Sequence, residues 1–563
     1  MLNRRDFLKW AGAGLAAAAA MPALSRRAGA EGGTPPAAGK PNFLLIVMDD
    51  MGYSDPGCYG GEIATPNVDR LAAGGIRFTQ CYSTARCWPS RACLLTGYYA
   101  QQVRRDALPG IGGGNGGKRP AWARLVPEML KGQGYRSYHS GKWHTDGVPV
   151  ESGFDRSYEN DDSDHHFLTA KKMAEIEPPL EPPGPEGYYT STATADNAIR
   201  FLRDHAANHA DKPFFQYLAF TEPHFPIQAA QADVDRYRDR YLEGWDSIRE
   251  KRLKRMTEMG LVNCKLSKPD PDIFPPYNLK PEVMKERIGP GEVGRAVPWN
   301  TLTDEQKRFQ ATKMAIHAAM VDRVDREIGR VLEQIKAMNA FENTVIFFVS
   351  DNGTSAEQMI RGNGHDPAAP PGSAKTFLCL GPGWSTASNT PFRLHKIWVH
   401  EGGISSPLII HWPAGLKARG ELRHDVCHLV DIPRTLVDLA GGQWPEKWGD
   451  TPVPPPPGLS LAPAMAKDGG VKHEFLWWFH QGNRAIRVGD LKLVSVGAEG
   501  PWELYDLATD RAESDNLAAK QPEKVKELSE RWTGFMEDCK RLATSDEQTP
   551  AEQPKKKGKG KKE

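Results

Sequence analysis

Three features that define whole classes of proteins are scarce in this sequence of 563 residues. No apolar run reaches the roughly 20 residues that a membrane-spanning helix needs, and the nearest candidate, residues 10–24, is mostly Ala and Gly. Cysteine occurs only eight times, which excludes a small disulfide-bonded scaffold. Lys and Arg number 72 against 71 Asp and Glu, so bulk charge gives no support for nucleic-acid binding. The sequence therefore predicts no stable membrane anchor and no nucleic-acid partner.

An export signal is predicted at the N-terminus. Arg4 and Arg5 precede a weakly apolar, Ala-rich stretch, and Ala-Gly-Ala at residues 28–30 is typical of a cleavage site. We predict that residues 1–30 are a twin-arginine signal peptide, recognised by the twin-arginine export machinery and directing a bacterial protein to the periplasm or to secretion. Residues 31–40, rich in Gly, Pro and Ala, are predicted to be a linker.

Apolar runs alternate with helical patterns over residues 41–450. Residues 42–48 and 344–349 are continuous apolar runs, typical of strands buried on both faces of a parallel sheet. Runs at residues 214–220 and 407–412 are similar, and residues 305–338 carry apolar side chains at helical spacing. This order predicts an α/β domain with a doubly wound, mostly parallel sheet. Ligands of such sheets bind beyond the carboxyl ends of the strands.

The pattern changes after a proline-rich break at residues 452–457. Short strand-like runs occur at residues 475–479, 485–488, 491–496 and 502–507, and a helical pattern covers residues 522–542. They predict a small C-terminal antiparallel sheet crossed by one helix, over residues 470–543, with Trp477 and Trp478 in its core. Residues 544–563 are polar and Lys-rich and are predicted to be a disordered tail.

Acidic pairs follow two of the predicted buried strands. Asp49 and Asp50 come directly after the first, and Asp351 and Asn352 follow the run at 344–349. Their side chains offer only hard oxygen ligands, which favour Ca²⁺ or Mg²⁺ over Zn²⁺.

Elsewhere, Cys87 precedes Pro89 and Arg91. On chemistry alone this cysteine could be a thiolate nucleophile or a buried structural residue at the start of a helix.

These motifs together resemble the type I sulfatases, the formylglycine-dependent, arylsulfatase-like enzymes of the alkaline phosphatase superfamily. The resemblance covers residues 41–540, and its central motif is Cys-x-Pro-Ser-Arg followed by Leu-x-Thr-Gly. In chain order, the matching segments are Asp49-Asp50, Cys87-Trp88-Pro89-Ser90-Arg91, Gly141-Lys142-Trp143-His144, Pro223-His224-Phe225-Pro226, Ser350-Asp351-Asn352-Gly353, and Lys396 before Glu401-Gly402-Gly403.

The resemblance implies a fold, a modified residue and a metal. The fold would be that of alkaline phosphatases and sulfatases. Cys87 would be oxidised to formylglycine by a maturation enzyme, and the hydrated aldehyde would be the nucleophile. One Ca²⁺ ion, with Mg²⁺ as the alternative, would bind each chain. Its ligands would be Asp49, Asp50, Cys87 in its modified form, Asp351 and Asn352.

The resemblance also implies how the reaction begins. One hydroxyl of hydrated residue 87 would attack sulfur, and Asp351 would take its proton. Arg91 would hold the nucleophile, and Lys142 would bridge it to the sulfate.

Further roles follow for the departure of both products. His224 and Lys396 would contact the sulfate oxygens, and one of them would protonate the departing alkoxide. His144 would then take a proton from the second hydroxyl, so that sulfate leaves and the aldehyde returns.

The implied function is hydrolysis of a sulfate monoester, on a sulfated glycan or a small aryl sulfate. Two alternatives stay open: a phosphonate or phosphate ester hydrolase on the same scaffold, and a catalytically idle glycan-binding relative. His480 and Asn483 are predicted to lie where the C-terminal sheet could reach the substrate, whereas His317 and His400 are predicted to be structural. Cys58 and Cys81 could form a disulfide in an oxidising compartment.

Overall fold

The computed structural model describes residues 39–160, 166–167, 187–361 and 364–546. The predicted signal peptide, most of the predicted linker and the predicted tail beyond residue 546 lie outside these residues. Within them, no helix combines the length and the apolar character that a membrane crossing requires. The division into a domain of residues 41–450 and a subdomain of residues 470–543 stays a prediction.

A mixed sheet of eight strands forms the centre of this described part. Its strands are β1 Asn42–Met48, β2 Ile76–Tyr82, β3 Arg136–Lys142, β4 Arg156–Asn160, β5 Phe214–Ala219, β6 Thr344–Ser350, β7 Ser405–His411 and β8 Glu421–His428. Their spatial order is β4-β3-β5-β1-β6-β7-β2-β8. The first five in this order are parallel, β7 runs antiparallel to both its neighbours, and β8 is parallel to β2. The predicted doubly wound, mostly parallel sheet is confirmed.

Helices cover both faces of this sheet. The α-helices of the described residues are α1 Pro66–Gly74, α2 Cys87–Thr96, α3 Val126–Lys131, α4 Thr190–Asn208, α5 Gln231–Asp235, α6 Gly244–Glu258, α7 Pro281–Arg287, α8 Asp304–Ala337, α9 Pro382–Ser388, α10 Glu401–Ile404, α11 Asp431–Leu439, α12 Ala462–Ala466 and α13 Pro522–Ala543, the last of which packs on the C-terminal sheet instead. The longest, α8, begins at a capping box between Thr303 and Gln306.

Strand β1 shows why its sequence is apolar throughout. Leu44 and Ile46 pack in a core that contains residues of α4 and α8. Phe43, Leu45 and Val47 point to the opposite face and pack in a core with residues of α2, α3 and α11. Because successive side chains of a strand alternate between faces, a strand covered on both sides favours apolar residues at successive positions.

A separate antiparallel sheet and one helix form the C-terminal part, as predicted. The strands are β11 Leu476–His480, β12 Asn483–Val488, β13 Leu491–Ser495 and β14 Glu503–Asp506; a two-stranded ribbon, β9 Lys447–Trp448 with β10 Thr451–Pro452, precedes them. Trp477 stacks on Trp532 of α13 with ring centroids 5.7 Å apart. Trp478 points to the larger sheet, where its indole donates to the Ser83 carbonyl at 2.8 Å. Both tryptophans are buried, which confirms their predicted core positions.

Buried ion pairs join the two sheets. Lys492 of β13 lies 2.9 Å from Glu401 of α10 and 2.8 Å from Glu513. Arg511 adds a second contact to Glu401, at 3.3 Å. All four side chains are buried, so each charge depends on its partners for stabilisation.

The possible disulfide between Cys58 and Cys81 is wrong. The eight cysteines all lie within the described residues, and each is free and buried. Cys58 packs in the core on one face of the large sheet, whereas Cys81 packs in the core on the other face. Cys81 lies instead beside Cys427, its partner in the β2–β8 register.

Candidate active site

The acidic pairs meet at one edge of the large sheet. Met48 and Ser350 are partners in the β1–β6 register, so the residues that follow them emerge side by side. The Asp50 backbone N–H donates to Asp351 Oδ1 at 3.3 Å. The Asn352 side-chain amide donates to Asp50 Oδ1 at 2.6 Å. All these side chains are buried, and together with Asp49 they form a cluster of oxygen ligands.

Two oxygens of this cluster are suited to a cation. Asp49 Oδ1 and Asn352 Oδ1 are buried and have no hydrogen-bond partner among the described residues. Leaving such atoms unpaired in a protein interior is unfavourable, and a divalent ion would satisfy both. His224 also approaches the cluster, with potential ligand atoms of Asp49, Asp50 and His224 all within 4.8 Å of one another. The residues present therefore fit a hard divalent cation.

Cys87 is the first residue of α2 and is buried. Burial raises the pKa of its thiol to about 11, against the opposing effect of Lys142 and Lys396. Burial therefore favours the protonated thiol over the thiolate at this position. The start of a helix nevertheless favours negative charge, because its N–H groups point outward there.

Arg91 lies one helical turn after Cys87 and connects three parts of the site. Its Nε and Nη2 atoms lie 3.0 and 2.8 Å from Asp351 Oδ2. Its Nη1 donates to the Lys142 carbonyl at 3.1 Å. The same guanidinium lies 3.7 Å from Asp49. These contacts fix the position of Arg91, and they place it where it can hold the side chain of residue 87.

Two lysines neutralise the acidic pair after β1. Lys142, the last residue of β3, contacts the Asp49 carboxylate. Lys396 Nζ lies 2.8 Å from Asp50 Oδ2. Although burial opposes it, Lys142 and His224 hold the pKa of Asp49 below its ordinary value. Burial raises the pKa of Asp351 to about 7, and Asp49 adds to this effect.

The two histidines of the implied mechanism have different neighbours. His224 contacts the Phe225 carbonyl through Nδ1 at 2.6 Å, and its Nε2 lies 3.7 Å from Asp50 Oδ2. His144 follows β3 with a φ of 49°, and its ring centroid lies 5.7 Å from that of Trp88. The structure brings together Asp49, Asp50, Cys87, Arg91, Lys142, His224, Asp351, Asn352 and Lys396, and it places the ring of His144 against Trp88, the residue after Cys87.

Sequence analysis missed a buried carboxylate in this site. Glu357 lies 3.3 Å from Lys396 Nζ and 3.0 Å from Arg86 Nη2. The Tyr277 hydroxyl donates to Glu357 Oε1 at 2.6 Å. Its position six residues after Asp351 carries no pattern of its own. Only the presence of a Glu close behind the Asp351-Asn352 motif could have indicated it.

The C-terminal sheet contributes to the site through one of the two residues predicted to reach the substrate. His480 ends β11, and its ring centroid lies 5.5 Å from that of Trp88. Asn483 has a different function. Its amide donates to the Ile397 carbonyl at 3.1 Å and its oxygen accepts from the Gly497 backbone at 2.9 Å. Asn483 therefore supports the loop that carries Lys396. His317 and His400 each pair with a carboxylate, Asp55 and Glu503 respectively.

Two sequence models match this chain. The model described as Sulfatase matches residues 41–442. The model described as the twin-arginine translocation pathway signal sequence matches residues 1–22, which confirms the predicted export signal and supports delivery to the periplasm or secretion.

Known proteins of similar sequence and structure point the same way. The chain is 32% identical over 540 residues to an uncharacterized sulfatase of Schizosaccharomyces pombe, which covers 88% of this chain and 93% of the relative. It is 29% identical over 459 residues to an arylsulfatase of Klebsiella aerogenes, over 75% of this chain and 91% of the relative. Among solved structures, Ps i-CgsB in complex with k-i-k-neocarrahexaose is similar with a TM-score of 0.62 at 23% identity, covering 90% of this chain and 94% of that one.

Proposed function

The chain belongs to the sulfatase family and is a sulfuric ester hydrolase; from this premise we propose that it cleaves a sulfate monoester through formylglycine made from Cys87. The observation that supports this proposal is the convergence of Cys87, two buried lysines and a cluster of open oxygen ligands. A sulfate ester repels nucleophiles because its oxygens carry negative charge. A site that concentrates positive charge around the sulfate would favour the transition state.

Ca²⁺ is the cation proposed for this site. Asp49, Asp50, Asp351 and Asn352 would hold it, together with the modified side chain of residue 87. Their all-oxygen chemistry and the unpaired Asp49 Oδ1 and Asn352 Oδ1 support this assignment. When bound, the ion supplies positive charge next to the nucleophile and the sulfate.

The proposed roles of the protein side chains follow from their contacts. Arg91, fixed by Asp351 and the Lys142 carbonyl, would restrain the hydroxyl groups of residue 87. Asp351 would accept the proton of the attacking hydroxyl. Lys142 and Lys396 would bind the sulfate oxygens once substrate and cation occupy the site.

The second half of the cycle would depend on the two histidines. His224 or Lys396 would donate a proton to the departing alkoxide. His144, whose ring lies against Trp88, would accept the proton of the second hydroxyl. That transfer would expel sulfate and restore the aldehyde, a route that is closed to an ordinary Ser or Cys nucleophile, which has no second hydroxyl.

The proposed substrate is a sulfated glycan. The export signal supports it, because polysaccharides are met outside the cytoplasm. Two similar structures are named as complexes with sugars, one with k-i-k-neocarrahexaose and one with D-glucosamine-2-N,6-O-disulfate at 21% identity and a TM-score of 0.56. The arylsulfatase relative supports a small aryl sulfate as a laboratory substrate.

The test is a comparison of ester classes with the purified, matured enzyme. We expect kcat/KM for 4-nitrophenyl sulfate to exceed that for 4-nitrophenyl phosphate and for a 4-nitrophenyl phosphonate by at least about tenfold. Dominant phosphonate turnover would instead assign the scaffold to phosphonate ester hydrolysis. Binding of sulfated glycans without sulfate release would assign it to an idle relative.

Glu357 is proposed as a positioning residue for Lys396. Glu357→Gln keeps the size of the side chain but removes the charge that pairs with Lys396 and Arg86. We expect kcat/KM for 4-nitrophenyl sulfate to fall about 10- to 100-fold, mainly through a higher KM, because Lys396 would lose its fixed position at the sulfate. Steady-state kinetics gives the split between kcat and KM.

Glu327→Gln is the matched control for this prediction. Glu327 is also a buried glutamate with an arginine partner, Arg330, but it lies on α8 outside the site. Its variant should keep the KM of the parent enzyme. An unchanged KM in Glu357→Gln would contradict the positioning role.

A further inference from the structure

Two aromatic side chains line one side of residue 87 and are not used by the proposed mechanism. Trp88 directly follows the nucleophile and is half-buried. Its ring contacts that of His144 at 5.7 Å and that of His480 at 5.5 Å between centroids. His480 reaches this position from the end of β11, so the C-terminal sheet contacts the residue next to the proposed nucleophile.

His480 is held in one orientation by a carboxylate. Its Nδ1 lies 2.8 Å from Asp106 Oδ2. Asp106 is itself fixed by the Gln101 amide at 3.0 Å and by the Ala107 backbone N–H at 3.0 Å. Since a carboxylate can only accept hydrogen bonds, Nδ1 carries the proton. When the ring is neutral, Nε2 is therefore an acceptor.

Each of the two rings has one polar atom without a hydrogen-bond partner among the described residues. His480 is 1% exposed, and its Nε2 is buried with no hydrogen bond to any described residue. Trp88 Nε1, which can only donate, is likewise buried and unbonded within the described part of the chain. Because buried polar atoms are almost always paired, an unpaired donor and an unpaired acceptor on adjacent rings indicate a ligand group.

The chemistry of these two atoms selects the kind of group. A sulfate or carboxylate oxygen could accept from Trp88 but could not donate to His480. An ammonium group could donate to His480 but could not accept from Trp88. An alcohol hydroxyl does both, as does the water that such a hydroxyl would replace.

We propose that Trp88 and His480 form a subsite for a hydroxyl group of the leaving alcohol, close to the ester that is cleaved. This inference rests on the proposed function and deepens it, because it names the substrate class as sulfate esters of polyhydroxylated alcohols such as sugars. Aryl sulfates without such a hydroxyl would leave the subsite unsatisfied. Asp106 is the positioning residue that keeps the His480 acceptor turned to this group.

The test uses two probes that differ by one hydroxyl: trans-2-hydroxycyclohexyl sulfate and cyclohexyl sulfate. Their dissociation constants are measured by calorimetry with full-length Cys87→Ala protein in saturating Ca²⁺, so that binding is read without turnover. We expect the hydroxylated probe to bind at least about fivefold more tightly. Adding Trp88→Phe, which keeps the ring but removes the N–H, or His480→Ala should bring this ratio close to one.

His424→Ala is the matched control. The His424 ring also contacts an aspartate through Nδ1 at 2.8 Å, but the pair with Asp468 is exposed. Its variant should keep the parent ratio. Equal affinity for the two probes in the parent, or a ratio that persists in Trp88→Phe, would overturn the subsite, and Trp88→Phe decides even where His480→Ala does not fold.

Failure of the proposed function would be recognised separately. It would appear as no sulfate release by the matured enzyme from either probe or from 4-nitrophenyl sulfate. The binding ratio in the Cys87→Ala background decides the subsite in either case.

Discussion

Replacing Cys87 with Ala is expected to lower kcat for sulfate ester hydrolysis by at least about 10,000-fold while the protein stays folded. The side chain lies at the start of α2, beside Lys142 and Lys396, where the nucleophile is required. Alanine cannot be oxidised to an aldehyde and offers no oxygen for the attack on sulfur. Stopped assays with 4-nitrophenyl sulfate measure kcat, and circular dichroism checks the fold.

Cys93→Ala is the control within the same helix. Cys93 is also buried, and burial raises the pKa of its thiol to about 12, but it packs in the apolar core outside the site. Its variant should keep turnover within a few-fold of the parent. A hydrazide reagent should label residue 87 of the parent through its aldehyde and should not label Cys87→Ala. Full activity with an unlabelled, unmodified Cys87 would refute the mechanism.

The second large effect is expected for Asp351→Asn, which removes a charge without a change in size. We expect kcat/KM to fall about 100- to 10,000-fold, because the variant loses the proposed base and one anionic ligand of the cation. In the parent, the Arg91 guanidinium pairs with Asp351 at 2.8 Å, and in the variant it would lose this charged partner. Metal content after gel filtration, measured by plasma mass spectrometry, should fall below one ion per chain.

Asp233→Asn provides the comparison for loss of a buried carboxylate elsewhere. Asp233 pairs with Arg323 and Arg326 and lies outside the oxygen cluster. Its variant is expected to lose stability but to retain the ion.

Dialysis of the parent against a chelator should remove activity, and Ca²⁺ should restore it. Retention of one ion and of full activity by Asp351→Asn would exclude this residue from the site.

The strands that could be predicted from the sequence are those that consist mainly of apolar residues. Strands β1 and β6 are buried on both faces by apolar residues and were visible in the sequence. Strand β3 was not, because it places Ser137, His139 and Ser140 inside the protein. These side chains satisfy their polarity through contacts that no local pattern encodes, such as His139 with Ser157 at 2.8 Å.

The site was predictable where its residues lie in continuous motifs. Cys87 and Arg91 share one helical turn, and the acidic pairs end two apolar strands, so local sequence indicates their chemistry. Glu357 and Asp106 act through distant partners, Lys396 and His480, and only the folded chain brings them together. The antiparallel direction of β7 was also hidden, because an apolar run has the same pattern in either direction.

The buried ion pairs between the two sheets limit which chimaeras of this enzyme and its relatives will be stable. Glu401 lies five residues after Lys396, and its counter-charges Lys492 and Arg511 come from the C-terminal part of the chain. Removing Lys492 and Arg511 would leave the charge of Glu401 uncompensated in the interior, at a cost of about 3–5 kcal/mol. Chimaeras joined near residue 460 should therefore inherit Glu401, Lys492, Arg511 and Glu513 from a single parent, or lose stability close to the loop that carries Lys396.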